Sequence, residues 1–191
     1  MEQVAQLSML LDRYHALCQY CDDLFQRTVQ TYRSQIQCAK GCVECCLLET
    51  VVPLEASVIA AYLQSTPAIR GQLCLSDQQQ DSYCVFLNNQ VCLIYPVRPI
   101  ICRTHGLPIR YSEHEGIDVC PLNFNNDDLT EIEEEFVLDA DVITTNLLRL
   151  NLAFCLLTAT AETAGERVSL QSLMTNLSKN STMTSVIPLN S

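Results

Sequence analysis

The feature that most constrains this chain is a run of nine residues, Cys38-Ala39-Lys40-Gly41-Cys42-Val43-Glu44-Cys45-Cys46, which carries four thiols. A hydrophobic core selects Leu, Ile and Val, and thiols packed this closely oxidise unless a soft ion holds them. Thiolates spaced C-x3-C-x2-C-C are the donors that zinc or an iron–sulfur cluster takes. A second group follows at Cys84, Cys92, Cys102 and Cys120. The pattern predicts a scaffold that brings the two groups together, with all eight cysteines as metal ligands.

Composition narrows what surrounds them. A chain of 191 residues, 48% of them hydrophobic, has enough apolar material for one domain with its own core. Only five glycines occur, with no G-x-G-x-x-G and no G-x4-G-K-[ST], so dinucleotide and P-loop sites lose their support. The net charge is −11 and lysine stands only at Lys40 and Lys179, which argues against nucleic acid as a partner. Twelve cysteines would also suit a secreted disulfide scaffold. Against that, Met1-Glu2-Gln3-Val4-Ala5-Gln6 lacks a basic signal-peptide start, and adjacent Cys45 and Cys46 would close a strained ring. No uninterrupted apolar run approaches the ~18 residues of a membrane span. The expectation is a cytoplasmic protein with no membrane partner.

The fold expected is mainly α with small β-hairpins, a single domain of helices packed around a cysteine-rich metal-binding core. Residues 1–37 form an amphipathic helix, with Leu7, Leu10, Tyr14, Leu17, Cys18, Cys21, Leu24 and Phe25 at helical spacing out to about 35. Cys18, Cys21, Cys74 and Cys155 read as small apolar core residues. Residues 38–121 form the cysteine domain. Within it, Pro53 and Glu55 start a helix that ends before Thr66-Pro67, and a shorter helix covers about 68–81. Cys84–Leu87 and Val91–Tyr95 pair as a hairpin across an Asn turn. A short helix runs from Ile100 to Gly106, and Leu107–Tyr111 with Glu115–Val119 form a second hairpin. Residues 122–175 complete the fold: an acidic helix start at 127–136, then an apolar helix at about 142–161. That helix packs on the first, or on a second copy or another protein. A weaker helix follows through Leu170 and Leu173, and 176–191 read as a disordered tail.

Charge near the ligands completes the candidate site. Gly41 permits a tight turn whose N–H groups face sulfur. Arg98 and Arg103 flank Cys102 and are expected to bind the cofactor by offering it hydrogen bonds and positive charge. His105 is the one histidine placed to act as a spare ligand or proton carrier. Eight thiolates suit two tetrahedral zinc ions, one four-iron cluster with thiols to spare, or a bridged binuclear site.

Four blocks in order carry a resemblance: Cys38 to Cys46, then Cys84-Val85-Phe86-Leu87, then Cys92-Leu93-Ile94-Tyr95-Pro96-Val97-Arg98-Pro99-Ile100-Ile101-Cys102-Arg103, then Cys120-Pro121. Over about 38–121 the chain resembles the YkgJ-type cysteine-cluster family of zinc- or iron-chelating domains. The resemblance implies a bacterial protein that binds a metal or a cluster, and the uneven C-x3-C-x2-C-C start, closer to iron–sulfur runs than to a zinc finger, favours a cluster over zinc. Relatives include a flagellin lysine N-methylase, so an enzyme using S-adenosylmethionine is one alternative that the resemblance implies. Delivery of a soft metal ion, drawing on surplus thiols, is another.

Overall fold

The computed structural model describes residues 1–75, 83–125 and 129–179. Helix α1 (Glu2–Thr31) is unbroken by Gly or Pro and buries Leu7, Leu10, Tyr14, Cys18, Cys21, Leu24 and Thr28. Those residues recur every three or four positions, so they form one stripe along a rod about 45 Å long. The helix stops four residues earlier than its periodicity predicts. From Tyr32 the chain turns, and the Tyr32 ring packs edge-on against Phe124 and Phe136. The Gln35 carbonyl then accepts the Phe124 N–H at 2.8 Å. A tertiary aromatic cluster thus ends a helix that local propensity would continue.

Helix α2 (Pro53–Ser65) starts at the expected proline. Glu55, 3% exposed, accepts the N–H of Val52 at 3.4 Å and that of Ile100 at 2.9 Å. One carboxylate therefore caps α2 and also fastens the start of α4 (Ile100–Thr104). Burial pushes the Glu55 carboxyl up, and the two N–H donors pull it back. Helix α3 (Pro67–Leu75) covers the first part of the expected 68–81 segment. The remainder of that segment, and the side chain of Cys74, lie outside the described residues.

Helix α5 (Ala140–Leu157) is capped by Asp139, whose side chain accepts the Val142 N–H at 2.9 Å. It packs against α1 and α2, with Ile143, Asn151, Phe154 and Cys155 buried. The acidic stretch before it is not a helix start. Among its described residues it forms 3-10 turns at Leu129–Glu131 and Glu134–Phe136, because Ile132 and Phe136 must turn inward to join Phe124 and Ile36. Outward from α5 point Val142, Leu148, Leu152 and Leu156. By length and composition α5 is apolar enough to cross a membrane. A search for uninterrupted apolar residues misses this because Asp141 and Arg149 break the run. Helix α6 (Leu170–Lys179) extends beyond 176, where a tail was expected, and packs on α2. Residues 180–191 lie outside the described residues.

The β elements are two residues each. β1 (Thr50–Val51) pairs antiparallel with β6 (Val168–Ser169). β2 (Leu87–Asn88) and β3 (Val91–Cys92) form the expected hairpin, Leu87 opposite Cys92. Its turn residues Asn89 and Gln90 have φ of 48° and 62°, the conformation of a type I′ turn. The second hairpin is reduced to one bridge, Ile109 to Asp118. β4 (Ile109–Arg110) instead pairs parallel with β5 (Leu138–Asp139), because α5 delivers its first turn alongside. The protein is mainly α with small β elements, in a single domain.

Candidate metal centre

All eleven cysteines with described side chains are free, and they fall into two populations. Cys18, Cys21 and Cys155 are buried in the main core with Leu7, Leu10, Tyr14 and Phe154. The other eight are Cys38, Cys42, Cys45, Cys46, Cys84, Cys92, Cys102 and Cys120, all half-buried. Core helices supply the first population; turns, strand β3 and the short helix α4 supply the second. The Cys38–Cys46 segment is a chain of turns, with Cys42 N–H bonded to Ala39 at 3.0 Å and Cys46 N–H to Val43 at 2.8 Å. Gly41 adopts a φ of +96° in the first of these turns. Cys84 is tied to the segment directly, its N–H donating to the Cys46 carbonyl at 2.7 Å.

The electrostatics show which thiols are neighbours. The Cys102 thiol is pushed well above its ordinary range, by burial first and then by Cys84, Cys92, Cys46 and Cys45. Burial raises Cys84 to about 11, and the Phe86 N–H opposes it. Cys92 is likewise raised by burial and opposed by the Ile94 N–H, with Arg98 pulling the same way. Burial raises Cys45 to about 11, with Cys46, Cys38 and Cys42 adding to it. Burial also raises Cys38, which Asn123 pulls down and Cys120 and Cys42 push up. The expected ligands from four separate blocks are therefore drawn into one region.

Burial thus favours the neutral thiol at Cys38, Cys45, Cys46, Cys84, Cys92 and Cys102. Among the described residues no three His, Cys, Asp or Glu side chains are placed to hold a metal ion as they stand. Ligation at about 2.3 Å per zinc–sulfur bond requires the thiols to close in. The donor chemistry fits a soft metal, and the backbone N–H groups of Phe86 and Ile94 already face Cys84 and Cys92, as second partners of bound sulfur do.

Three features of the support were not legible as site features in the sequence. Asn123, 1% exposed, donates from Nδ2 to the Gly106 carbonyl at 2.9 Å and to Cys38 Sγ at 3.4 Å. Its Oδ1 accepts the Gln37 N–H at 2.8 Å. It fixes Cys38 from behind, and its only sequence signal is its place three residues after Cys120. Gly106 has φ of +93°, and a Cβ there would stand 2.5 Å from Cys38 Sγ. Asp22 is the third. Its carboxylate bridges Arg98 and Arg103.

The two arginines take their hydrogen bonds from the scaffold. Arg103 is 7% exposed and donates to Asp22, to the Arg98 carbonyl at 2.9 Å and to the Pro96 carbonyl at 3.1 Å. Arg98 lies over the Tyr95 ring at 4.1 Å, bonds Asp22, and pulls the Cys92 thiol down by its charge. Together they clamp α4, which carries Cys102, onto α1. His105 lies beside the site, in the wall of a cavity of about 210 Å³ that Cys38, Cys42, Cys45 and Cys120 also line. Burial lowers its pKa, which favours the neutral imidazole.

Residues 37–134, just over half of the chain, match the CxxCxxCC family model, described as a putative zinc- or iron-chelating domain. The chain belongs to this family. No curated protein and no solved structure matches it. The CxxCxxCC signature places two residues between its first two cysteines, whereas this chain has three, Ala39-Lys40-Gly41. The match also takes in Asn123, three residues beyond the last expected ligand.

Proposed function

We propose that this CxxCxxCC protein binds an iron–sulfur cluster or zinc through the thiolates of Cys38, Cys42, Cys45, Cys46, Cys84, Cys92, Cys102 and Cys120, with a cluster favoured. The observation that carries this is the convergence of eight unpaired thiols from four separate blocks, backed by an asparagine and by backbone N–H groups. The three fully buried cysteines sit apart from this group, in the main core. When bound, a zinc ion would supply structural cross-linking, and a cluster would add electron transfer. The setting proposed is reducing and cytoplasmic, where thiols stay available to a metal.

The S-adenosylmethionine alternative has less support. The cavity beside the thiols, about 210 Å³, is smaller than the roughly 300–1,000 Å³ of small-molecule sites. The larger groove, about 830 Å³, runs between α1 and α5 and is lined by no cysteine.

Purification under nitrogen, with iron, acid-labile sulfide and zinc measured per chain, tests the proposal. A brown protein with iron and sulfide in equal amounts is expected for a cluster. Colourless protein with firmly held zinc selects the other metal. Folded protein that takes up neither, even when both are supplied, contradicts both.

A further inference from the structure

The groove between α1 and α5 lies apart from the thiols, since no cysteine lines it. Its volume of about 830 Å³ is that of a small-molecule site. Helix α5 is apolar enough to cross a membrane, yet only 22% of it is buried. Met9 and Leu156, both in the groove wall, are 59% and 61% exposed. Covering such a wall with hydrocarbon releases water from it at a gain.

The charge in the groove is placed unevenly. Gln3 Nε2 donates to the Leu157 carbonyl at 2.6 Å, so the start of α1 lies beside the end of α5 and the two helices run antiparallel. Counting in opposite directions from that bond, at equal rise, sets Arg13 about level with Arg149 and Asn146. From there towards Leu157 the wall is formed by Met9, Leu10, Leu150, Ala153, Leu156 and Leu157, with Gln6 its single uncharged polar side chain. Among the described residues that line the groove, Arg13 and Arg149 alone carry charge, and neither pairs with a described carboxylate.

We propose that this groove binds a free single-chain carboxylate, its head group held by Arg13 and Arg149 and its alkyl chain lying along α5 towards Leu157. Guanidinium forks match a carboxylate in geometry as well as in charge. The step from Arg149 to Leu157 spans about 12 Å, the reach of about ten staggered carbons. Two other occupants fit less well. A second copy docked about a two-fold axis would set the same arginines against each other. An anionic bilayer is repelled by the chain's net charge of −11. The proposal stands independently of the metal centre.

The test is isothermal titration of the full-length protein, as purified under nitrogen, with decanoate, decanol and decyltrimethylammonium, each below its micelle concentration. One equivalent of decanoate is expected to bind, at least tenfold more tightly than either of the others. Arg13→Gln combined with Arg149→Gln is expected to erase that preference; both arginines are exposed, so the variant should fold. Ala153→Trp, which fills the apolar end, is expected to abolish binding of all three. The wild-type preference decides the matter even if a variant does not fold. Absence of saturable binding, uptake of several equivalents regardless of head group, or a preference kept in the double variant would overturn the proposal. So would a dimer in sedimentation equilibrium that Ala153→Trp dissociates, which assigns the groove to a second copy. Binding to phosphatidylglycerol vesicles without binding to free decanoate would overturn it as well, in favour of a membrane surface.

Discussion

Replacing Gly106 with alanine is expected to destabilise the protein by about 2–4 kcal/mol and to weaken metal binding at Cys38. Two effects add. The backbone at φ +93° is one that residues with a Cβ rarely adopt. The added carbon would also lie 2.5 Å from Cys38 Sγ and 3.3 Å from the Phe25 ring. Phe25 belongs to α1 and packs against the main core, so it cannot simply swing aside. Cys38 would have to move off its Asn123 partner, and a ligand displaced in this way binds metal less well. Gly71→Ala is the matched control. Gly71 lies in α3 with nothing within 4 Å of its would-be Cβ, so alanine there is expected to stabilise by about 0.5–1 kcal/mol. Urea denaturation of the two variants should move the midpoint in opposite directions. Equal midpoints would show that Gly106 is not crowded.

Asp22→Ala is expected to cost about 3–5 kcal/mol, far more than removal of an exposed charge. Arg103 is almost wholly buried and cannot shed its charge. Without Asp22 it keeps two backbone carbonyls and loses its salt-bridge partner, while Arg98 loses its carboxylate as well. Because both arginines hold α4 to α1, the loss should also loosen Cys102. Glu135→Ala gives the comparison. Its ion pair with Arg27 spans 3.6 Å between side chains 51% and 62% exposed, and its removal is expected to change stability by about 0–1 kcal/mol. Thermal unfolding of both variants measures the contrast. Similar melting temperatures would show that the Asp22 bridge is not what secures α4.

Much of the helical framework was legible because its signals are local. The buried stripe of α1 follows directly from its apolar spacing, and Pro53 with Glu55 marks the start of α2. The cysteine run stands out in the sequence just as plainly, since a core rarely gathers four thiols in nine residues. What was not legible depended on distant partners. Tyr32 ends α1 early because two phenylalanines wait for it about a hundred residues further on. The parallel β4–β5 pairing needs α5 to be in place before it has any meaning. Asn123 and Asp22 are ordinary polar residues in sequence, and only packing turns one into the partner of Cys38 and the other into the clamp on α4. Arg98 and Arg103 show the same limit: nearness to Cys102 along the chain says little about where a long side chain is directed.

The most direct measurement of the central claim is alkylation of the thiols, read by peptide mass spectrometry, in metal-loaded and chelator-treated protein. Cys38, Cys42, Cys45, Cys46, Cys84, Cys92, Cys102 and Cys120 are expected to be protected when metal is bound and modified once it is removed. Cys18, Cys21 and Cys155 should stay protected in both states for as long as the helices remain folded, because the core covers them. A modification pattern that is the same with and without metal would contradict the assignment of these eight cysteines as the metal centre.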